Sequence, residues 1–152
     1  MASFLDRANN QNSASPARKF APDQKPLVLV VEDHEDTRFM LQYLLEMRGC
    51  RVAMAEDGVM AVRAARSEHP DLILMDTSLP RLDGLAATRL IRGAAALHDI
   101  PIIFVSGHAH PAFRNVALET GGDDYLVKPF EIKQLDRVLE KHLGDKRAAK
   151  AE

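Results

Sequence analysis

The stretch "LILMDTSLP", Leu72 to Pro80, decides how this chain is read. Four apolar residues run straight into Asp76, and two hydroxyl residues follow before Leu79 and Pro80. A short, continuous apolar run ended by a turn signal is strand length, and its lack of alternation fits a strand buried on both faces. Taken alone, Asp76 is no more than an aspartate that starts a turn at a strand end. Working outward, the pattern recurs. "LVLVV" (27–31), "RVAMA" (51–55), "IIFV" (102–105) and "DYLV" (124–127) are each four or five residues long.

Helical spacings lie between these runs. From Glu35 to Arg48, Phe39, Met40, Tyr43, Leu44 and Met47 recur at i, i+3 and i+4, which predicts a helix with that stripe against the core, stopped by Gly49. Met54 and Met75 also read as core, as do Met40 and Met47. Residues 57–68 carry Val59, Val62 and Ala65 and end before Pro70. Residues 84–92 and 111–120 are weaker helical patterns, the second ending at Gly121 and Gly122. From Glu131 to Leu143, Ile132, Leu135, Val138, Leu139 and His142 or Leu143 keep the period. Five strands alternating with five helices predict an α/β fold, a parallel sheet covered on both faces.

In such sheets ligands sit beyond the carboxyl ends of the strands. Glu32 and Asp33 follow the first strand, Asp76 the third, Ser106 and Gly107 the fourth, and Lys128 and Pro129 the fifth. Three carboxylates, a hydroxyl and an ammonium therefore converge on one sheet edge. Clustered carboxylates repel, and a hard divalent cation such as Mg²⁺ relieves that repulsion. A lysine and a hydroxyl suit phosphoryl oxygens. A carboxylate can accept a phosphoryl group as an acyl phosphate. Glu32 and Asp33 could instead cap the helix that follows, a role compatible with metal binding. Lys128 could be a solvated surface lysine, Ser106 a loop hydroxyl bonded to its own backbone, and Tyr125 an ordinary strand aromatic.

Composition sets bounds. At 152 residues the chain is read as one folded unit, about 26–144, with a tail at 1–26 rich in Asn, Gln, Ser, Ala and Pro, and a short polar tail at 144–152. The hydrophobic share of 46% suffices for a single core. A net charge of -2 gives no electrostatic argument for nucleic acid or an anionic membrane. The single cysteine, Cys50, reads as a packed thiol in a reducing cytoplasm. No segment approaches the roughly 20 apolar residues that span a bilayer, and no secretory signal is visible. His34, His108 and His110 read as exposed loop histidines rather than a transition-metal site. "DKRAAK" reads as a solvated helix end or tail.

Four blocks, "VLVVEDHEDTR", "PDLILMDTSLPRLDGL", "PIIFVSGHA" and "GGDDYLVKPF", resemble in order and spacing the receiver domain of bacterial two-component response regulators, over residues 27–143. The resemblance implies a doubly wound, flavodoxin-like sheet in the order 2-1-3-4-5, an order that spacing alone does not supply. It implies that Asp76 is the phosphoacceptor. Mg²⁺ would be held by Asp33 directly, by Glu32 largely through water, by Asp76, and by the backbone carbonyl of Ser78. Lys128 would pair with the phosphoryl oxygens, Ser106 would be the switch hydroxyl and Tyr125 the coupled aromatic that turns inward. Pro129 would follow a cis peptide bond. Pro80 and Gly84 fit the turn and helix entry after the acceptor.

The sequence also departs from the family pattern. Glu32 stands where many members have aspartate, without loss of the metal role. Thr77 stands where an apolar residue is frequent, and its side chain is expected outward. Ser78 and His108 flank the acceptor and are expected to tune how fast water reaches the phosphoryl group. The implied function is a stand-alone phosphorylation switch rather than an enzyme. Its phosphodonor is a sensor histidine kinase or a histidine phosphotransfer protein, and either its output is contact with a downstream protein or it serves as a relay or sink for phosphoryl groups. It would be a monomer or a homodimer formed on phosphorylation through the fourth helix, fifth strand and fifth helix. A phosphatase of the haloacid dehalogenase type needs a second aspartate two residues after the first, where this chain has Ser78. A DNA-binding regulator needs a further module, which the residues after Leu143 are too few to form. A pseudo-receiver scaffold is disfavoured because all five site positions are filled.

Overall fold

The computed structural model describes residues 25–151, with side chains through Gly144. The expected tail at 1–26 lies almost wholly outside those residues. The strands are β1 (Leu27–Val31), β2 (Arg51–Ala55), β3 (Leu72–Asp76), β4 (Ile102–Ser106) and β5 (Asp124–Val127). The helices are α1 (Glu35–Met47), α2 (Gly58–Glu68), α3 (Gly84–Arg92), α4 (Pro111–Thr120) and α5 (Ile132–Ala151). All neighbouring strands are parallel, in the order β2-β1-β3-β4-β5. Both the alternation and the order agree with the sequence reading. Every residue of β1, β3 and β4 is buried, as continuous apolar strands require.

The two faces of the sheet carry separate cores, and strand alternation assigns each residue to one. Leu29, Val31, Ile73, Met75, Ile102, Phe104 and Tyr125 pack with residues of α2, α3 and α4. Val28, Val30, Leu72, Leu74, Ile103, Val105 and Leu126 pack with α1 and α5, where Cys50 is also buried. Burying these side chains stabilises the sheet by roughly 1.5–3 kcal/mol for each large one.

Helix ends follow local chemistry. Asp57 caps α2 by accepting from the N–H of Met60 at 2.8 Å, and Asp83 caps α3 through that of Ala86 at 2.8 Å. His110 caps α4 through Nδ1, with Pro111 in the first turn. Gly121, at φ +133°, ends α4 in a conformation a side chain rarely adopts.

Two elements depart from the sequence reading. In α1 most of the predicted stripe faces solvent: Phe39, Met40, Tyr43 and Met47 are between 48% and 67% exposed, and of the stripe only Leu44 packs against the core. The buried residues are Arg38, Leu41 and Leu45. Arg38 fixes this rotation, donating from Nη1 to the Glu32 carbonyl at 2.9 Å, with Nη2 3.3 Å from Glu56. Leu41 and Leu45 then follow at i+3 and i+7. Both stripes satisfy a helical period, so periodicity could not choose between them. The second departure is α5, which runs on to Ala151, beyond the expected start of a polar tail at 144. Alanine, lysine and arginine after Gly144 are strong helix formers. No helix among the described residues is long and apolar enough to cross a membrane.

Candidate functional site

The carboxyl edge of the sheet gathers the predicted residues. β1 ends one residue before Glu32, whose side chain is buried, and Asp33 beside it is exposed. β3 ends on Asp76, 5% exposed. Lys128 follows β5 and reaches across the top of the sheet. Its Nζ donates to Glu32 Oε1 at 2.7 Å and to Asp76 Oδ2 at 3.2 Å. One ammonium thus holds two carboxylates. The following bond, Lys128–Pro129, is cis, as the resemblance implied.

The loop after Asp76 is shaped by a close approach. The Ser78 N–H donates to Asp76 Oδ1 at 3.0 Å, fixing the carboxylate from the other side. The chain then returns so that the Gly84 N–H meets the Thr77 carbonyl at 3.2 Å. A Cβ on Gly84 would stand 2.1 Å from the Asp76 carbonyl oxygen, so only glycine lets α3 start there.

The charges respond to these surroundings. Burial pushes the Asp76 carboxyl above the ordinary carboxylate range, and repulsion from Glu32 adds to it, against the pull of the Ser78 N–H and Lys128. For Glu32, burial also pushes upward, but Lys128 and the His34 N–H prevail and hold it below its ordinary value. Burial pushes Lys128 down, and its two carboxylates more than reverse that, so the ammonium is reinforced.

The donor set fits a hard divalent cation. Ligand atoms of Glu32, Asp33 and His34 lie within 4.8 Å of one another. His34 Nδ1 is 3.3 Å from both Glu32 Oε2 and Asp33 Oδ1. Oxygen donors dominate, as Mg²⁺ prefers. Glu32 already engages Lys128 with one oxygen and the His34 N–H with the other, whereas Asp33 presents its carboxylate to solvent. Neither acidic residue caps α1: the N-cap is His34, which makes no side-chain cap.

Ser106 stands on the other face of the sheet at the same edge, and Tyr125, lower on that face, reaches the edge with its hydroxyl. Ser106 is fully buried, and its Oγ accepts from the His108 N–H at 3.1 Å. Tyr125 points inward, its hydroxyl donating to the His108 carbonyl at 2.7 Å. Its ring lies edge-on to Phe113, which in turn stacks on His108 at 4.4 Å. His108 and His110 are exposed loop residues, as read.

Thr77 departs from expectation. Its side chain points inward, is 5% exposed, and its Oγ1 hydrogen-bonds Ser106 Oγ at 2.7 Å. The signal for this was the register. Ile73 pairs with Ile102 and Met75 with Phe104, so two residues further on Thr77 meets Ser106. Arg38 also escaped the sequence reading, because a charged residue at a core position gives no hydropathy signal.

Residues 28–140 match the family described as the response regulator receiver domain. The chain belongs to that family. This receiver domain is 40% identical over 110 residues to the transcriptional regulatory protein PrrA of Mycobacterium tuberculosis, covering 72% of this chain and 46% of that one. It is 38% identical over 122 residues to the sensor protein GacS of Pseudomonas syringae, covering 78% of this chain and 14% of that protein. The chain thus spans about half the length of PrrA, and less of GacS. Among solved structures it resembles the receiver domain of the sensor histidine kinase PA1611 of Pseudomonas aeruginosa, with a magnesium ion in its active-site cleft. That likeness has a TM-score of 0.74 at 38% identity and covers 79% of this chain and 98% of that one. Receiver domains of this family serve two-component phosphorelay signalling.

Proposed function

We propose that this receiver accepts a phosphoryl group on Asp76 and uses it to switch a protein-binding surface. The observation that carries the reading is the Glu32–Lys128–Asp76 arrangement, with Asp33 open beside it. An Asp76 carboxylate oxygen attacks the phosphorus of a phosphohistidine on a sensor histidine kinase or histidine phosphotransfer protein. The P–O bond forms as the P–N bond breaks, and the departing imidazole keeps the electron pair and takes a proton from solvent. Lys128 is placed to pair with the phosphoryl oxygens. Mg²⁺, held by Asp33, Asp76, the Ser78 carbonyl and, through water, Glu32, would supply charge neutralisation at the transferring group.

Ser106 and Tyr125 are the responding groups, and the output is contact with a downstream protein. The domain acts as a switch rather than a turnover enzyme. Ser78 and His108, flanking the acceptor, set how fast water reaches the aspartyl phosphate. The exposed apolar stripe on α1 suits a partner helix beside the site. A net charge of -2 favours protein over nucleic acid as the direct target, and a cytoplasmic location fits the phosphorelay.

The test is intact mass after incubation with Mg²⁺ and acetyl phosphate. The wild type gains one phosphoryl group and Asp76→Ala gains none. No gain by the wild type sinks the reading, and continuous rapid phosphate release would replace it with a phosphatase.

A further inference from the structure

The alternation that separates the two cores also divides the site. Glu32, Asp76 and Lys128 continue the series of Val30, Leu74 and Leu126, which face α1 and α5. Thr77, Ser106 and Tyr125 continue or belong to the series of Met75, Phe104 and Tyr125 on the opposite face. A signal leaving Asp76 must therefore cross the sheet edge, and Thr77 is the next residue in the chain.

Thr77 Oγ1 is 2.7 Å from Ser106 Oγ, and both residues are buried. Ser106 Oγ also receives the His108 N–H, and the carbonyl of His108 receives the Tyr125 hydroxyl. Thr77, Ser106, the backbone of His108 and Tyr125 are thus linked in series, with His108 bonded to Ser106 through its N–H and to Tyr125 through its carbonyl. Asp76 stands apart from it: Oδ1 takes the Ser78 N–H and Oδ2 takes Lys128.

We propose that Thr77 is a positioning residue that latches the Ser106 hydroxyl away from Asp76 until phosphorylation. The inference rests on Asp76 as the acceptor and Ser106 as the responding hydroxyl. For Ser106 to turn toward a phosphoryl group it must leave Thr77. The Thr77 hydroxyl then remains in a site closed to water, where an unmet hydrogen bond is costly. That cost falls on the switched form alone, so Thr77 raises the threshold for switching. It acts through Ser106 and touches no phosphoryl oxygen itself.

Val is nearly isosteric with Thr and lacks the hydroxyl, so Thr77→Val removes the latch with little change in packing volume. The readout is affinity for beryllium fluoride, a tetrahedral analogue of a carboxylate-bound phosphoryl group, at saturating Mg²⁺. Thr77→Val is expected to bind it about tenfold more tightly than wild type, because no buried hydroxyl is stranded. Thr77→Ser restores the hydroxyl and is expected to return the affinity to within about twofold of wild type, which a packing role would not do. An independent measurement uses the unmodified protein. The Thr77–Ser106 hydroxyl proton, shielded by burial, is expected as a slowly exchanging NMR resonance that disappears when beryllium fluoride is added.

Equal affinity of wild type and Thr77→Val overturns the latch. So does a hydroxyl resonance that persists in the bound form, even if the valine variant does not fold. A wild type that neither binds beryllium fluoride nor gains a phosphoryl group overturns the Asp76 reading, and the latch with it.

Discussion

Carboxylates stand at both edges of this sheet, and the two edges use them differently. At the amino edge Asp71 accepts the N–H of Leu27 at 2.8 Å, Asp123 that of Ile102 at 2.9 Å, and Asp124 that of Tyr125 at 2.9 Å. Strands of a parallel sheet begin with N–H groups that need acceptors, and a carboxylate satisfies one directly. At the carboxyl edge the strands present carbonyls, which repel a carboxylate. Glu32 and Asp76 are held there by turn N–H groups and by the single ammonium of Lys128. Negative charge in excess of its partners is structurally unhelpful, and it is what a divalent cation and a phosphoryl transfer require. The pKa directions follow each carboxyl's partners: Asp76 is raised by burial, whereas Glu32 beside it and Asp124 at the amino edge are lowered by theirs.

The strongest way to break this comparison is at Lys128. Lys128→Ala leaves Glu32 and Asp76 facing each other without their shared cation. Phosphorylation by acetyl phosphate is expected to slow about 100-fold, the scale of losing one aligned electrostatic group. Mg²⁺ is expected to bind at least about threefold more tightly, because a neighbouring positive charge has gone. Rates from intact mass and a Mg²⁺ titration check the two together. A variant that keeps its rate would show that Lys128 only ties the two carboxylates together structurally.

The amino edge predicts the opposite division. Asp71→Ala removes the acceptor for the first N–H of β1 and leaves that buried donor exposed to the full cost, about 1–3 kcal/mol of stability. Its rate of phosphorylation, measured on folded protein, is expected to stay within about twofold of wild type. A loss of rate without loss of stability in urea unfolding would erase the distinction between the edges.

The carboxyl edge was legible in the sequence, whereas the bonds that Asp71 and Asp123 make at the amino edge emerged only from the structure. Asp71 precedes an apolar run, and Asp76 ends the same run. The five strands and the convergence of Glu32, Asp33, Asp76, Ser106 and Lys128 followed from placing residues after each run. What escaped needed information that hydropathy does not hold. The face of α1 was set by one arginine bonded to the Glu32 carbonyl, not by which apolar stripe was larger. The inward turn of Thr77 required the pairing of β3 with β4, a long-range register. The length of α5 beyond Leu143 was not legible, because the polar residues after Gly144 fit a helix end and a tail equally well.

The smallest expected effect sharpens the amino edge through pH. Burial pushes the Asp124 carboxyl up, but the Tyr125 N–H, His142 and Lys141 together bring it below its ordinary value. A lowered folded-state value means that the charged form stabilises the fold. That contribution is complete above the unfolded carboxyl's titration, near about pH 3.9, and fades as pH falls through the lower folded value. Asp124→Asn keeps the shape and loses the charge. It is expected to be about 1 kcal/mol less stable than wild type at pH 7, the scale of one weakened hydrogen bond. Urea unfolding of both proteins from pH 7 to pH 3 should show that gap closing at the acid end. A gap that stays constant from pH 7 to pH 3 would mean that the charge of Asp124 is not what stabilises this edge.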